Sequence, residues 1–109
     1  MISIEDIARE RGIDEEFVLE CLHEFYNYTM TTDFPGLRRA VEENDPTVAA
    51  ERAHSIKGAA QNLLLNDLGE CAQEIVSKCR AGDCSDLLRL TDALERCIGK
   101  VGAFLKQTS

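Results

Sequence analysis

Residues 46–64 read PTVAAERAHSIKGAAQNLL. Asp45 stands directly before Pro46, an arrangement that pairs a capping carboxylate with a proline suited to the first helical position. Helical residues are spaced at about 100°. With His54 at zero, Leu63 falls at about 180°, Ile56 at 200°, Ala49 at 220°, Ala60 at 240° and Ala53 at 260°. These five form one apolar stripe, so the stretch reads as an amphipathic helix over 46–64. His54 lies nearly opposite the stripe. Its neighbours on the outer face are Ala50, Lys57, Gly58 and Gln61.

The same periodicity extends in both directions. No proline follows Pro46. Leu68, Cys71, Ala72, Ile75 and Cys79 recur every three or four residues and predict a helix over 66–80, with Asn66 as its cap. Gly82-Asp83 interrupts the pattern. Leu87, Leu90, Thr91, Leu94, Ile98, Val101 and Leu105 then predict an inward face on a last helix running to about 106. Upstream, a short helix is expected over 3–10, between Ser3 and Gly12. Another is expected over 14–31, with Phe17, Val18, Cys21, Leu22, Phe25 and Thr29 on its stripe. Asp33-Phe34-Pro35 is a looser start signal for a helix over 34–43. No window shows the alternation of a strand. Amphipathic helices joined by short loops favour an all-α fold, an antiparallel four-helix bundle with short additional N-terminal helical segments.

The chain has 109 residues, which is the size of one domain, 1–109. Its formal net charge is −8. Residues 1–45 hold 4 basic and 12 acidic side chains, and residues 46–109 hold 8 of each, so the whole imbalance lies in the first part. Such acidity argues against nucleic acid as a partner, since phosphate backbones require clustered Lys and Arg. No apolar run reaches the length of a membrane span, and the N-terminus lacks a signal-peptide pattern, so a cytoplasmic protein with no membrane partner is expected. The five cysteines are odd in number and form no CxxC pair. Cys21, Cys71, Cys79 and Cys97 fall on apolar phases and read as small core residues, with Cys84 apart from them.

An outward-facing histidine with Lys57 one turn away and Gly58 beside it has a definite chemical use. Glycine in a helix interior costs about 1 kcal/mol relative to alanine, and here it clears space next to the ring. A phosphoryl group on His54 would carry negative charge that Lys57 can offset. The stretch Ala53-His54-Ser55-Ile56-Lys57-Gly58-Ala59-Ala60 resembles the signature of histidine-containing phosphotransfer (HPt) domains. The similarity continues upstream through Leu37-Arg38-Arg39-Ala40 and Asn44-Asp45, and downstream to Asn62-Leu63 and Leu68, covering roughly residues 22–80. In one respect the chain departs from the pattern: family members often carry a glycine near 62–65, where Leu64 and Leu65 stand here.

The resemblance implies a helical bundle whose histidine exchanges a phosphoryl group with the aspartate of a response-regulator receiver domain or accepts one from a sensor histidine kinase. It implies His54 as acceptor and donor, Lys57 as the charge that steadies the phosphate, and Ala50, Gly58, Gln61 and Leu65 as docking surface. It also implies no cofactor in this chain, with Mg²⁺ on the receiver, and no autonomous kinase activity. A neutral imidazole is a competent acceptor near pH 7, given a reference pKa of about 6.5. The far ring nitrogen is the expected acceptor.

Two rivals are weighed against this reading. Glu20-x-x-His23 and Glu51-x-x-His54 reproduce the Glu-x-x-His pairs of di-iron helical bundles. The faces oppose it: with His23 at zero, Phe25, Val18 and Leu22 lie at about 200–260°. Both motifs therefore point outward, and Lys57 would repel a metal ion. The other rival is a helical adaptor that is never phosphorylated.

Overall fold

The computed structural model describes residues 2–108, and all of its regular structure in that range is helical. Six α-helices and one π turn follow in order: α1 (Ile4–Arg11), α2 (Glu15–Tyr28), the π turn (Thr29–Asp33), α3 (Phe34–Glu42), α4 (Pro46–Asn62), α5 (Asn66–Arg80) and α6 (Leu87–Thr108). Helix α4 packs against α3 on one side and α5 on the other, α5 packs on α6, and α6 returns to α2 and α3. The ring of helices encloses a core that includes Leu22, Leu37, Ile56, Ile75, Leu94 and Ile98, each essentially inaccessible to water. Helix α1 lies against α2.

Three helices start within a residue of the expected positions, each under a side-chain cap. Ser3 accepts a hydrogen bond from the Asp6 amide, Asp14 from Phe17, and Asp45 from Val48 with Pro46 following. Each satisfies an orphan donor of the first turn. Asn66 differs: Leu65 holds the cap position of α5, and no side chain caps it. Helix α4 ends at Asn62 rather than Leu64.

The largest departure from the sequence reading lies at residues 29–35. Instead of a break between two helices, α2 runs through the π turn into α3 with right-handed helical backbone throughout. The cause is Pro35. Proline lacks an N–H, and its ring excludes the carbonyl four residues back. A widened turn moves that carbonyl aside without ending the helix. The Phe34 amide accordingly reaches Thr29 O, five residues earlier. Phe17 is the other correction, being 50% exposed and not part of the core stripe. The buried residues of α2 are Val18, Leu22 and Phe25, with Thr29 after them in the π turn.

Interactions between side chains trim the packing. Arg38 reaches from α3 to Asp92 (3.4 Å) and Glu95 (3.0 Å) on α6 and sits 5.2 Å above the Phe34 ring. Gly102 lets α6 approach α2, since a Cβ there would fall 2.7 Å from the Tyr26 ring. In the α5–α6 loop, the Ser85 hydroxyl, the Ser85 amide and Lys78 all donate to Asp83 and hold its carboxyl down at about 2.

Helices α3, α4 and α5 end alike. In each, the second residue past the cap donates back to a carbonyl of the last turn, as Asp45 to Ala40 O (2.8 Å), Leu65 to Ala60 O (2.9 Å) and Asp83 to Lys78 O (2.9 Å). This is the Schellman closure, and it demands a left-handed residue just past the cap. Asn44 (φ 58°), Leu64 (φ 55°) and Gly82 (φ 71°) take that position. Asparagine and glycine adopt it readily, whereas for leucine it costs about 1 kcal/mol or more. Leu64 is therefore a position where a glycine would be at ease. The half-buried leucine side chain, packed against the core, offsets the strain. Leu64→Gly should thus change the unfolding free energy by less than about 1 kcal/mol in either direction, because the relief of strain and the removal of an apolar side chain from the core nearly cancel. Leu64→Val, β-branched at the same φ, should cost about 2 kcal/mol. Urea denaturation of the two variants measures the difference.

Candidate functional site

Helix α4 owes its position to a stripe of small residues. Ala49, Ala53, Ile56 and Ala60 are fully buried, and Leu63 closes the stripe at the helix end. These are the residues the 100° spacing places together. The opposite side of the helix faces water, and His54 stands on it, exposed, together with Glu51, Gly58 and Gln61. A Cβ built on Gly58 would meet nothing within 4 Å, so the space beside the imidazole is open. Lys57 is half-buried, one turn along. No acidic side chain lies within ion-pair distance of it among the described residues.

Two of the residues read as outer-face docking surface are placed elsewhere. Ala50 is 9% exposed and Leu65 7%. For Ala50 the reason is the flank of α5. The Gln61 side chain lies 3.6 Å from where a Gly69 Cβ would sit, so that side of α4 is turned toward α5, and Ala50 shares it. For Leu65 the reason is the left-handed turn at Leu64, which breaks the helical phase and directs the next residue into the core. Gly58 and Gln61 remain at the surface.

The Glu-x-x-His residues are not brought together. Glu20, His23, Glu51 and His54 are all exposed, and among the described residues no cluster of three His, Cys, Asp or Glu side chains is arranged to hold a metal ion. Of the cysteines, Cys79 is buried, Cys21, Cys71 and Cys97 are half-buried, and Cys84 is exposed. Burial raises the thiol pKa of Cys79 and, with Glu24 and Glu20 adding to it, of Cys21.

Two features that hold the site helix in place are not evident from the residues alone. Asp33, the last residue of the π turn, is 3% exposed. Its carboxylate accepts from the Ser55 hydroxyl at 2.8 Å and lies 3.4 Å from the Arg52 guanidinium. Ser55 and Arg52 flank His54 in the chain and share the side of α4 that faces the π turn. Gly36 leaves room for Arg52, whose Nε would sit 2.9 Å from a Cβ there. The sequence signal, Asp33-Phe34-Pro35, reads as a helix start; only the continuous helix turns the carboxylate toward α4. The second feature is Arg11 of α1. It donates through Nε to Asn62 O and through its terminal nitrogen to Gln61 O, both at 2.9 Å. It thereby adds donors to two carbonyls of the last turn of α4, Gln61 O also accepting from the Leu64 amide at 3.1 Å.

Comparison with family models matches residues 26–104 to the Hpt domain. Comparison with curated proteins and with solved structures gives no match. The matched range runs from the end of α2 through most of α6 and covers well over half of the chain. The chain belongs to the Hpt domain family. Domains of this family serve histidine phosphotransfer in two-component phosphorelays, as phosphoryl carriers that interact with receivers and kinases and not as kinases themselves. No helix among the described residues is long and apolar enough to cross a membrane. Helix α1, with Arg11, lies outside the matched range.

The Asp33 clamp is testable by stability alone. Asp33→Ala leaves Ser55 without its acceptor and Arg52 without its counter-charge, and should cost about 1–2 kcal/mol, with the Arg52 part small because that side chain is 40% exposed. Asp33→Asn keeps an acceptor for Ser55 and should cost less than about 1 kcal/mol. Chemical denaturation of both variants reads the ordering, and an Asn variant as unstable as the Ala variant would overturn the role of the hydroxyl bond.

Proposed function

We propose that this protein carries a phosphoryl group on His54, exchanging it with the aspartate of a receiver domain. The observation that supports this most directly is the placement of His54: in a chain of the Hpt family, it is exposed midway along α4, with open space at Gly58 and a cation one turn away. Phosphoryl transfer asks little covalent chemistry of the protein and depends on positioning and charge. A rigid helix fixed through α3, α5, Asp33 and Arg11 supplies the positioning.

In the forward step the lone pair of the far ring nitrogen, Nε2, attacks the phosphorus of the receiver's aspartyl phosphate. The new P–N bond forms as the acyl P–O bond breaks, and the aspartate leaves as a carboxylate. The ring proton on Nδ1 is then released to solvent, leaving a neutral phosphoimidazole ring. The return step reverses this order. Lys57 lies within reach of the transferred oxygens and offsets their charge. Mg²⁺ belongs to the receiver in this scheme and this chain needs no cofactor. Gly58 and Gln61 form the approach surface beside the ring, while Ala50 and Leu65 act from beneath, as packing that holds the surface flat. Direction of flow and the identity of the receiver or kinase are set by the partner.

Incubation with a radiolabelled phosphoreceiver should give an acid-labile, base-stable label on the wild type and none on His54→Gln. Equal labelling of the two proteins would overturn the assignment. Lys57→Ala should retain the fold by circular dichroism but slow transfer by about tenfold, equivalent to about 1.4 kcal/mol less charge stabilisation. Unchanged single-turnover rates would remove Lys57 from the reaction.

A further inference from the structure

Cys71 of α5 and Cys97 of α6 meet across the helix pair with their sulfurs 3.6 Å apart. They stand 26 residues apart in sequence, so neither the odd cysteine count nor the absence of CxxC draws attention to them. Both are half-buried. Cys97 also lines a surface groove between residues 64–68, at the start of α5, and the C-terminal half of α6, where Lys100, Val101 and Phe104 form the other wall. A small solute therefore has a route to this residue. No hydrogen bond to either thiol from a group other than its partner is seen among the described residues.

We propose that Cys71 and Cys97 are a reversible oxidation site that closes to a disulfide when the protein meets a small peroxide. A disulfide requires sulfurs about 2.05 Å apart, so closure draws the pair together by about 1.6 Å, within what side-chain rotation and a small helix shift supply. Cys97, facing the groove, attacks the peroxide as its thiolate. The O–O bond breaks, one oxygen goes to sulfur as a sulfenic acid, and the other leaves as hydroxide and takes up a proton as water. Cys71 then attacks the sulfenic sulfur, the S–S bond forms, and the second oxygen leaves as water. The two sulfurs together lose two electrons and the peroxide gains them. A thiol reductant returns the pair to the starting state.

The environment sets the rate. Burial, the contact with Cys97 and the nearby Glu74 and Asp67 push the Cys71 thiol up to about 11. Attack on the sulfenic sulfur needs the Cys71 thiolate, so this closing step is slow at neutral pH and accelerates as pH rises. The other three cysteines do not share the geometry. Cys84 is on the exposed loop, Cys79 is buried, and Cys21 is on α2. The cross-link joins α5 to α6 and leaves α4 untouched. The proposal is independent of whether His54 is phosphorylated.

The test treats the full chain with a modest excess of hydrogen peroxide, followed by intact mass and non-reducing peptide mapping. A loss of two hydrogens and a peptide pair linking Cys71 to Cys97 are expected, both reversed by dithiothreitol. The rate of closure should rise from pH 7 to pH 9. The oxidised protein should melt higher by on the order of 10 °C, because the bond closes a long loop in the unfolded chain. Cys71→Ser and Cys97→Ser should each abolish the linked pair. The mapping of the wild type decides the matter even if a variant fails to fold. Oxygen addition without a linked pair, or a link through Cys21, Cys79 or Cys84 instead, would overturn the proposal.

Discussion

The stripe of alanines on α4 sets how closely its neighbours pack and which way the helix faces. Ala49, Ala53 and Ala60 carry almost no side chain, so α3 and α5 can approach the α4 backbone closely from two sides. Ile56 alone supplies bulk at the centre. A helix held on two flanks by small residues has one side left, and that side is turned to water. His54 occupies it. Larger residues on the stripe would push α3 and α5 away and turn α4 relative to both, so the exposure of the histidine is a packing consequence as much as a surface property.

The ends of α4 are fixed by different means. At the N-terminus the solution is local, with Asp45 capping and Pro46 preset for the first turn. At the C-terminus it is tertiary. Arg11, about fifty positions away in sequence, donates to the carbonyls of Gln61 and Asn62. Leu64 takes an unfavourable left-handed backbone, which lets the chain turn back and Leu65 enter the core. The side of the helix is held by Asp33, a buried carboxylate made tolerable by the Ser55 hydroxyl and the Arg52 guanidinium. His54 thus sits on a helix tied at both ends and along one flank, which suits a reaction governed by positioning.

Much of this is legible in the residues alone. The inward face of α6 follows position by position from the sequence, and that of α4 does so except at Ala50, because an amphipathic helix repeats its burial pattern every three or four residues. The outward direction of His54 follows from the same periodicity. Ala50 and Leu65 depart from it for two distinct reasons. A helical wheel has no knowledge of which neighbour covers its flanks, and it loses phase at a left-handed residue. Phe17 joins the core stripe only if apolar character is equated with burial, whereas the core of α2 continues through Val18, Leu22, Phe25 and Thr29. The π turn is hidden because proline usually marks a helix start or end, and its accommodation inside a helix depends on a hydrogen bond shifted by one residue.

The order of residues alone yields the helical class, the apolar faces, the cap at Asp45, and the histidine with its lysine and glycine on one outer face. These are short-range properties, set within one or two turns by periodicity and by the chemistry of single side chains. Helix packing adds what depends on separated residues meeting: the Asp33 clamp, the Arg11 contact, the burial of Ala50 and Leu65, and the approach of Cys71 to Cys97. Such pairings arise when whole helices pack, and the direction in which a side chain then finds a partner is fixed by the angle and offset of two helices, which local spacing does not encode.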